Sequence, residues 1–194
     1  MKLILASTSL RRAQILRDAG VAFTVVSSAL DETPYPEEAP QELVQRLADA
    51  KADLVAARAV GPAIVIAADT VVVLDGQVLG KPRSTEDARH MLEQLSGRTH
   101  SVHTGVSLIR LPDAGRLQFV ESTLVHFSRL TAEEISKYLA TEEPYDKAGA
   151  YAIQGRAGRF IPRIEGCYYN VVGLPLEHLL AALRELGWTE NEPM

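Results

Sequence analysis

The chain has 194 residues, with 20 Lys plus Arg against 25 Asp plus Glu, a net charge of −5, and 46% hydrophobic residues. That length makes one large domain or two small lobes, burying roughly 70% of its unfolded surface without a disulfide or metal staple. The acidic balance excludes a broad basic face for nucleic acid, and the single cysteine, Cys167, excludes a disulfide framework and suits a reducing cytoplasm.

Lys2–Ala6 predicts a buried strand, Ser9–Ala19 a helix closed by Gly20, and the β-branched Ala22–Ser28 a second strand. The first apolar run breaks at Ser7, too early for a signal-peptide core, and no stretch reaches the ~18 apolar residues of a membrane span. Residues 29–40 are rich in Pro and acids and predict a loop, after which Pro40 opens a helix reaching Arg58. Ile64–Leu74 is a long Val/Ile run interrupted by Asp69-Thr70, and Asp75-Gly76 is the strongest hairpin signal in the chain. A two-residue turn there pairs 74 with 77 and, carried on, 70 with 81, setting Lys81 opposite Thr70 and one step from Asp69.

Ser84, with Asp87 three residues on, caps a helix whose inner face is Ala88, Met91, Leu92 and Leu95, and Gly97 stops it. Val102–Arg110 and Leu117–Ser128 predict strands joined by a turn at Pro112–Gly115. Thr131 and Glu134 form a capping box for a helix to Ala140. Residues 141–175 are glycine-rich with short strand-like pieces, Pro175 opens a last helix closed by Gly187, and the tail from Thr189 is expected to fray. The alternation of strands and helices indicates an α/β protein, with any boundary between lobes expected in the loops around 29–40 or 128–131.

Several charges break the local rules. Ser7-Thr8-Ser9-Leu10-Arg11-Arg12 runs from a strand through hydroxyls into a helix N-terminus, where free N–H groups favour an anion and two arginines oppose the helix dipole. A bound phosphate reverses that sign; the alternative is that both arginines extend into water. Asp69 stands in an apolar run where an unpaired carboxylate costs several kcal/mol, so it faces a cleft, a cation or donors, or else sits at a strand end or bulge. Leu43, Leu47, Lys51 and Val55 share one helical stripe, which puts Lys51 off the solvent face or makes it a snorkelling stem. Gly80-Lys81 is not a phosphate-binding Walker loop, which needs GxxxxGK[ST]. Asp31-Glu32 read as solvated loop charge or, beside phosphates, as holders of a divalent ion. His100, His103 and Cys167 read as structural, since the two histidines fall on opposite faces of a strand and the cysteine has no CxxC partner.

These pieces together resemble the Maf family of nucleoside triphosphate pyrophosphatases over nearly the whole length. The matching stretches are LILASTSLRRAQIL, DET, the Lys51 helix, AADTVVVLDGQVLGKP, ARHMLEQLSGRTHSVHTGV, EPYDKAGAYAIQG and EGCYYNVVGLPLE. The resemblance implies a single domain over 1–194 with a mixed, elongated, twisted sheet, flanking helices and two lobes around a central cleft. It implies hydrolysis between the α- and β-phosphates to monophosphate and pyrophosphate, a divalent cation (Mg²⁺ or Mn²⁺), a cytoplasmic location and a homodimer. It implies Asp69 as proton acceptor with Lys51 and Lys81 as catalytic companions. Ser7, Arg11, Arg12, Thr70, Asp146, Lys147 and Gln154 then bind substrate, and Glu32 and Asp69 hold the metal.

One branch of the family looks tuned to dTTP and UTP and another to 7-methyl-GTP. Ala68-Asp69-Thr70 and Asp146–Gly155 have the form of the pyrimidine branch, and a Gln154 amide can read O4 and N3–H of uracil or thymine together. A pyrophosphatase for non-standard purine nucleotides and a nucleotide-binding regulator of septum formation are the rival readings. Leu10 and Cys167 depart from the family pattern, standing where proline and serine are usual.

Overall fold

The computed structural model describes residues 1–189. The elements in chain order are β1 (Lys2–Leu5), α1 (Leu10–Asp18), β2 (Thr24–Val25), α2 (Pro40–Ala56), β3 (Ala63–Leu74), β4 (Gln77–Leu79), α3 (Thr85–Leu95), β5 (Thr99–Leu111), β6 (Gly115–His126), α4 (Ala132–Leu139), β7 (Arg163–Glu165), α5 (Tyr168–Val172) and α6 (Leu176–Glu185). They build a mixed seven-stranded sheet in the order β2-β1-β3-β5-β6-β7, with β4 paired to β3, and helices flanking it. β1 runs parallel to β2 and to β3, while β4 lies antiparallel to β3 and β7 to β6. This is the α/β class that the alternating pattern predicts.

Local chemistry sets the element ends. Ser84 Oγ accepts from Asp87 N, and Thr131 with Glu134 completes a capping box at α4. Asp75 and Gly76 both have positive φ (51° and 79°), the turn that matches strand twist and needs an Asp-Gly pair. The 74/77, 73/78 and 72/79 pairs form as the hairpin signal requires. The ladder ends at Leu79, so the expected Thr70–Lys81 pairing does not form. The Gly80 carbonyl instead accepts from Gly149 N at 3.0 Å, and Pro82 has no N–H to offer a ladder.

Two further expectations differ. The strand over 22–28 contracts to Thr24–Val25, because only that edge pairs with β1; past it Val26 N and Ser28 Oγ still bond to the carbonyls of Leu5 and Ala6. The polar pair Asp69-Thr70 that breaks the apolar run lies within one strand, β3, which runs for 12 residues with Ala63–Asp69 all buried. Residues 141–175 hold 3₁₀ turns at Ala148–Ala150 and Arg156–Phe160 and the short helix α5, with β7 the only strand piece there. The tail expectation lies, beyond Thr189, outside the described residues.

The chain forms two compact units. The first comprises Met1–Asp69, Thr104–Glu121 and the chain from Gly173 on, and the second comprises Thr70–His103 and Ser122–Val172. Their boundaries fall inside β3, β5 and β6 and after α5, not in the loops 29–40 or 128–131, because the long strands contribute residues to both units. In the first unit α2 packs closely on β5: a Cβ on Gly105 would lie 2.5 Å from the Val44 carbonyl. The second unit's core gathers Leu92 and Leu95 of α3, Phe127 just after β6, Ile135 and Tyr138 of α4, and Tyr151 and Phe160 at the 3₁₀ turns.

Candidate active site

In the first unit, β1 delivers the chain to a polar corner. Ala6 N still bonds to Ile66 O of β3 at 2.8 Å, and the next residue, Ser7, is buried. Ser7 Oγ accepts from Ser9 N at 3.1 Å, and Ser9 caps α1 by accepting from Arg12 N at 3.4 Å. Arg12 then folds back toward that corner, donating from Nε to the Gly173 carbonyl at 2.8 Å and from Nη1 to Ser7 Oγ at 3.4 Å. The residue keeps some surface, but its guanidinium is enclosed. That burial lowers its pKa; Asp69 and Glu32 act the other way, and the neighbouring charge of Arg11 adds to the lowering. Arg12 is therefore not a water-facing arginine.

Lys51 settles the two readings of its stripe. It is buried on the inner face of α2 with Leu43, Leu47 and Val55. Its Nζ lies 2.5 Å from Asp69 Oδ1 of β3 and 2.5 Å from Glu32 Oε1 of the acidic loop. The side chains of Lys51 and Asp69 are only 7% and 12% exposed, whereas Glu32 is 54% exposed. Asp69 thus meets the need of a buried carboxylate with a cation, and Glu32 is the solvent-side member of a carboxylate–ammonium–carboxylate triad. Ser7, Arg12, Glu32, Lys51 and Asp69 belong to this one corner, and Arg11 sits part-exposed beside it.

The loop carrying Glu32 is organised from α2. Arg46 makes a two-pronged contact with Glu38 (2.5 and 2.7 Å), donates to Thr33 O at 3.3 Å, and lies over the Tyr35 ring at 3.9 Å. Its hydrogen bonds hold the Glu38 carboxyl below the usual range, and Thr33 does the same for Asp31. Nothing in the residue pattern singled out Arg46, nor Gly173, whose contribution is a backbone carbonyl and leaves no side-chain signal.

The second unit holds the remaining candidates. Gly149 has φ +67° and packs on Val72, where an added Cβ would come within 3.0 Å of Val72 Cγ1. With the Gly149–Gly80 bond, this ties the segment bearing Asp146 and Lys147 to the residue preceding Lys81. Asp146 and Lys147 form an ion pair. Lys81 and Asp146 are exposed, Thr70 and Lys147 half-buried, and Gln154 stands exposed on the turn at 153–155. His100 is structural: buried, bonded through Nε2 to Tyr151 O–H at 2.8 Å, and held by desolvation to a pKa of about 4. His103 contacts Ser101 and Ser122 instead, and Cys167 is a free, half-buried thiol.

Among the described residues no group of three or more His, Cys, Asp or Glu side chains gathers to hold a metal. Glu32 and Asp69, which converge on one nitrogen, still supply a two-carboxylate set. That set suits a hard cation such as Mg²⁺, which is bound through one or two carboxylates, waters and substrate phosphates rather than by an all-protein cage. No helix among the described residues is long and apolar enough to cross a membrane.

A family model described as Maf-like protein matches residues 2–186. A dTTP/UTP pyrophosphatase of Carboxydothermus hydrogenoformans is 48% identical over 188 residues, 97% of this chain and 100% of that protein. Proteins of the same name from Geobacillus sp. and Symbiobacterium thermophilum are each 50% identical over 187 residues, covering 96% of this chain and 99% and 95% of theirs. Among solved structures, the Staphylococcus aureus Ham1 protein aligns with a TM-score of 0.54 over 96% of this chain and all of its own, at 15% identity, a likeness of fold.

Proposed function

This chain belongs to the Maf-like family, and from that premise we propose that it is a nucleoside triphosphate pyrophosphatase acting on dTTP and UTP. Such an enzyme is a hydrolase of phosphoric anhydrides: it breaks the bond between the α- and β-phosphates and releases monophosphate and pyrophosphate. The observation that carries the reading is identity of about one residue in two, end to end, with proteins of that name.

The chemistry follows from the corner in the first unit. Asp69 accepts the proton of the attacking water; Lys51, on Oδ1, supplies the buried carboxylate's counter-charge and holds its orientation. Arg12 supplies a fixed, planar positive charge for phosphate oxygens, preset by Gly173 O and Ser7 Oγ, with Arg11 and the N–H groups opening α1 beside it. A divalent cation, Mg²⁺ or Mn²⁺, would be held by Glu32 and Asp69 and would offset charge on the phosphate oxygens. Lys81 and Lys147 are the second unit's phosphate-directed cations, with Thr70 and Asp146 as polar contacts, and Gln154 reads the pyrimidine edge. We propose in addition that the chain works in the cytoplasm as a homodimer, and sedimentation of the purified chain tests the dimer.

Pyrophosphate release is measured over a panel of triphosphates with Mg²⁺ and with Mn²⁺. UTP and dTTP lead the panel, and Asp69→Asn abolishes turnover while nucleotide binding persists. A lead by 7-methyl-GTP or another modified purine nucleotide refutes the substrate reading. Normal turnover in Asp69→Asn refutes the role of Asp69. Binding without release in the wild type makes the chain a nucleotide-binding regulator.

A further inference from the structure

Residues 143–157 form a loop whose two ends are joined by one carboxylate. Glu143 accepts at Oε2 from Arg156 N (2.9 Å) and at Oε1 from Ala157 N (3.3 Å), the first N–H groups of the 3₁₀ turn Arg156–Phe160. Tyr138 of α4, itself 1% exposed, donates its O–H to the same Oε1 at 2.9 Å. Burial of the phenol, and after it the hydrogen bond to that carboxylate and its charge, raise the pKa of Tyr138, so it stays a donor. Gly155 shows how tight the closure is. Its backbone is ordinary (φ −103°), yet a Cβ would lie 2.3 Å from the Glu143 carboxyl carbon. Glycine is needed there for space, not for φ.

Two more ties fix the loop between its ends. Gly149 N bonds to Gly80 O, and the Tyr151 O–H bonds to His100 Nε2 inside a cluster of edge-on rings with Phe127. The turn at 153–155 that carries Gln154, closed by Gly155 N on Ala152 O at 3.1 Å, directly precedes the clamped N–H groups.

We propose that Glu143 is a positioning residue for nucleobase recognition: by clamping Arg156 and Ala157 it sets where the Gln154 amide stands. The proposal rests on Gln154 reading the pyrimidine. Closing a loop this way removes conformational freedom that would otherwise be lost when the base binds, so the effect falls on KM and on base selectivity, not on the chemical step.

The test uses Glu143→Ala, Glu143→Gln and Gly155→Ala in the full-length chain. Gly155→Ala evicts the carboxylate, the far end of a flexible side chain, while leaving Glu143 itself in place. Steady-state kinetics with UTP and GTP are measured beside amide hydrogen exchange at Arg156 and Ala157. Glu143→Ala and Gly155→Ala should each raise KM for UTP about tenfold, the worth of charge-assisted bonds. Saturating kcat should stay within about twofold, and the UTP-over-GTP preference should narrow. Glu143→Gln, which keeps an acceptor oxygen, should fall between these and the wild type, and exchange at both amides should quicken in the order of the KM effects.

Unchanged KM and selectivity in Glu143→Ala and Gly155→Ala, with Gln154→Ala losing selectivity, overturn the clamp and leave the Gln154 reading standing. Unchanged selectivity in Gln154→Ala overturns that reading and the proposal with it. Loss of kcat at saturation for every nucleotide, with KM unmoved, also overturns the proposal.

Discussion

Replacing Lys51 with methionine keeps the stem's length and removes only the ammonium. Asp69 and Glu32 are then left without the nitrogen that each contacts at 2.5 Å. Breaking a fully buried pair by removing one partner costs about 3–5 kcal/mol, and an exposed pair about 0–1 kcal/mol. Asp69 is 12% exposed and Glu32 54%, so the first figure applies to one arm of the triad and the second to the other. We expect Lys51→Met to lose about 3 kcal/mol, a fall in Tm of roughly 6–12 °C for a chain of this size. A double-mutant cycle separates the arms. Lys51→Met with Asp69→Asn should recover most of the loss, because no uncompensated buried charge remains, giving a coupling of about 2–3 kcal/mol. Lys51→Met with Glu32→Gln should show less than about 1 kcal/mol. Urea unfolding at neutral pH provides the free energies. A coupling to Glu32 equal to or above that to Asp69, or a Lys51→Met loss below about 0.5 kcal/mol, refutes the account of Lys51 as the counter-charge of a buried carboxylate.

Arg12→Lys removes the planar donor set shared between Gly173 O and Ser7 Oγ, and KM for UTP should rise about tenfold with the fold intact, read by steady-state kinetics. Gly105→Ala forces a methyl to within 2.5 Å of the Val44 carbonyl, so α2 must move from β5; we expect a loss of about 1–3 kcal/mol by urea unfolding. His100 has a folded pKa lowered to about 4 from 6.5. Between those values the unfolded chain binds the extra proton, so this group's contribution falls as pH falls, by about 3 kcal/mol over the window. His100→Gln, which can still bond to Tyr151, should flatten the stability–pH profile between 4 and 6.5 while leaving it unchanged at pH 8.

Elements set by short-range chemistry were legible in the residues. The caps at Ser84 and Thr131, the Asp75-Gly76 hairpin and the inward stripe of α3 follow from periods and cap types that need no tertiary information. Elements set by distant partners were not. β2 shrinks to two residues because pairing to an edge, not β-propensity, limits it, and the hairpin stops early because Gly149 takes the Gly80 carbonyl from across the second unit. The site divides in the same way. Asp69, Lys51 and Arg12 were visible because each breaks a local rule. Their partners were not: the Gly173 carbonyl has no side-chain identity, and Glu143 looks like any acid in a polar loop until Arg156 and Ala157 are seen to bond to it.

The acidic loop shows why net charge was a poor guide. Asp31–Glu38 holds four of the chain's 25 acidic residues, in a loop where charge is ordinarily solvated. In the fold three of those acids have partners: Asp31 accepts from Thr33, Glu32 contacts Lys51, and Glu38 takes both arms of Arg46. Glu32 therefore serves two purposes that pull in opposite directions. It contributes a counter-charge to a buried lysine, and under the proposed function it is also the carboxylate that would join Asp69 in holding a cation. Only the more exposed member of the triad can do both. It can leave Lys51 with little desolvation cost, whereas Asp69, enclosed on β3, cannot. The gradient of exposure from Lys51 through Asp69 to Glu32 thus leaves one carboxylate fixed on the ammonium and the other able to move off it.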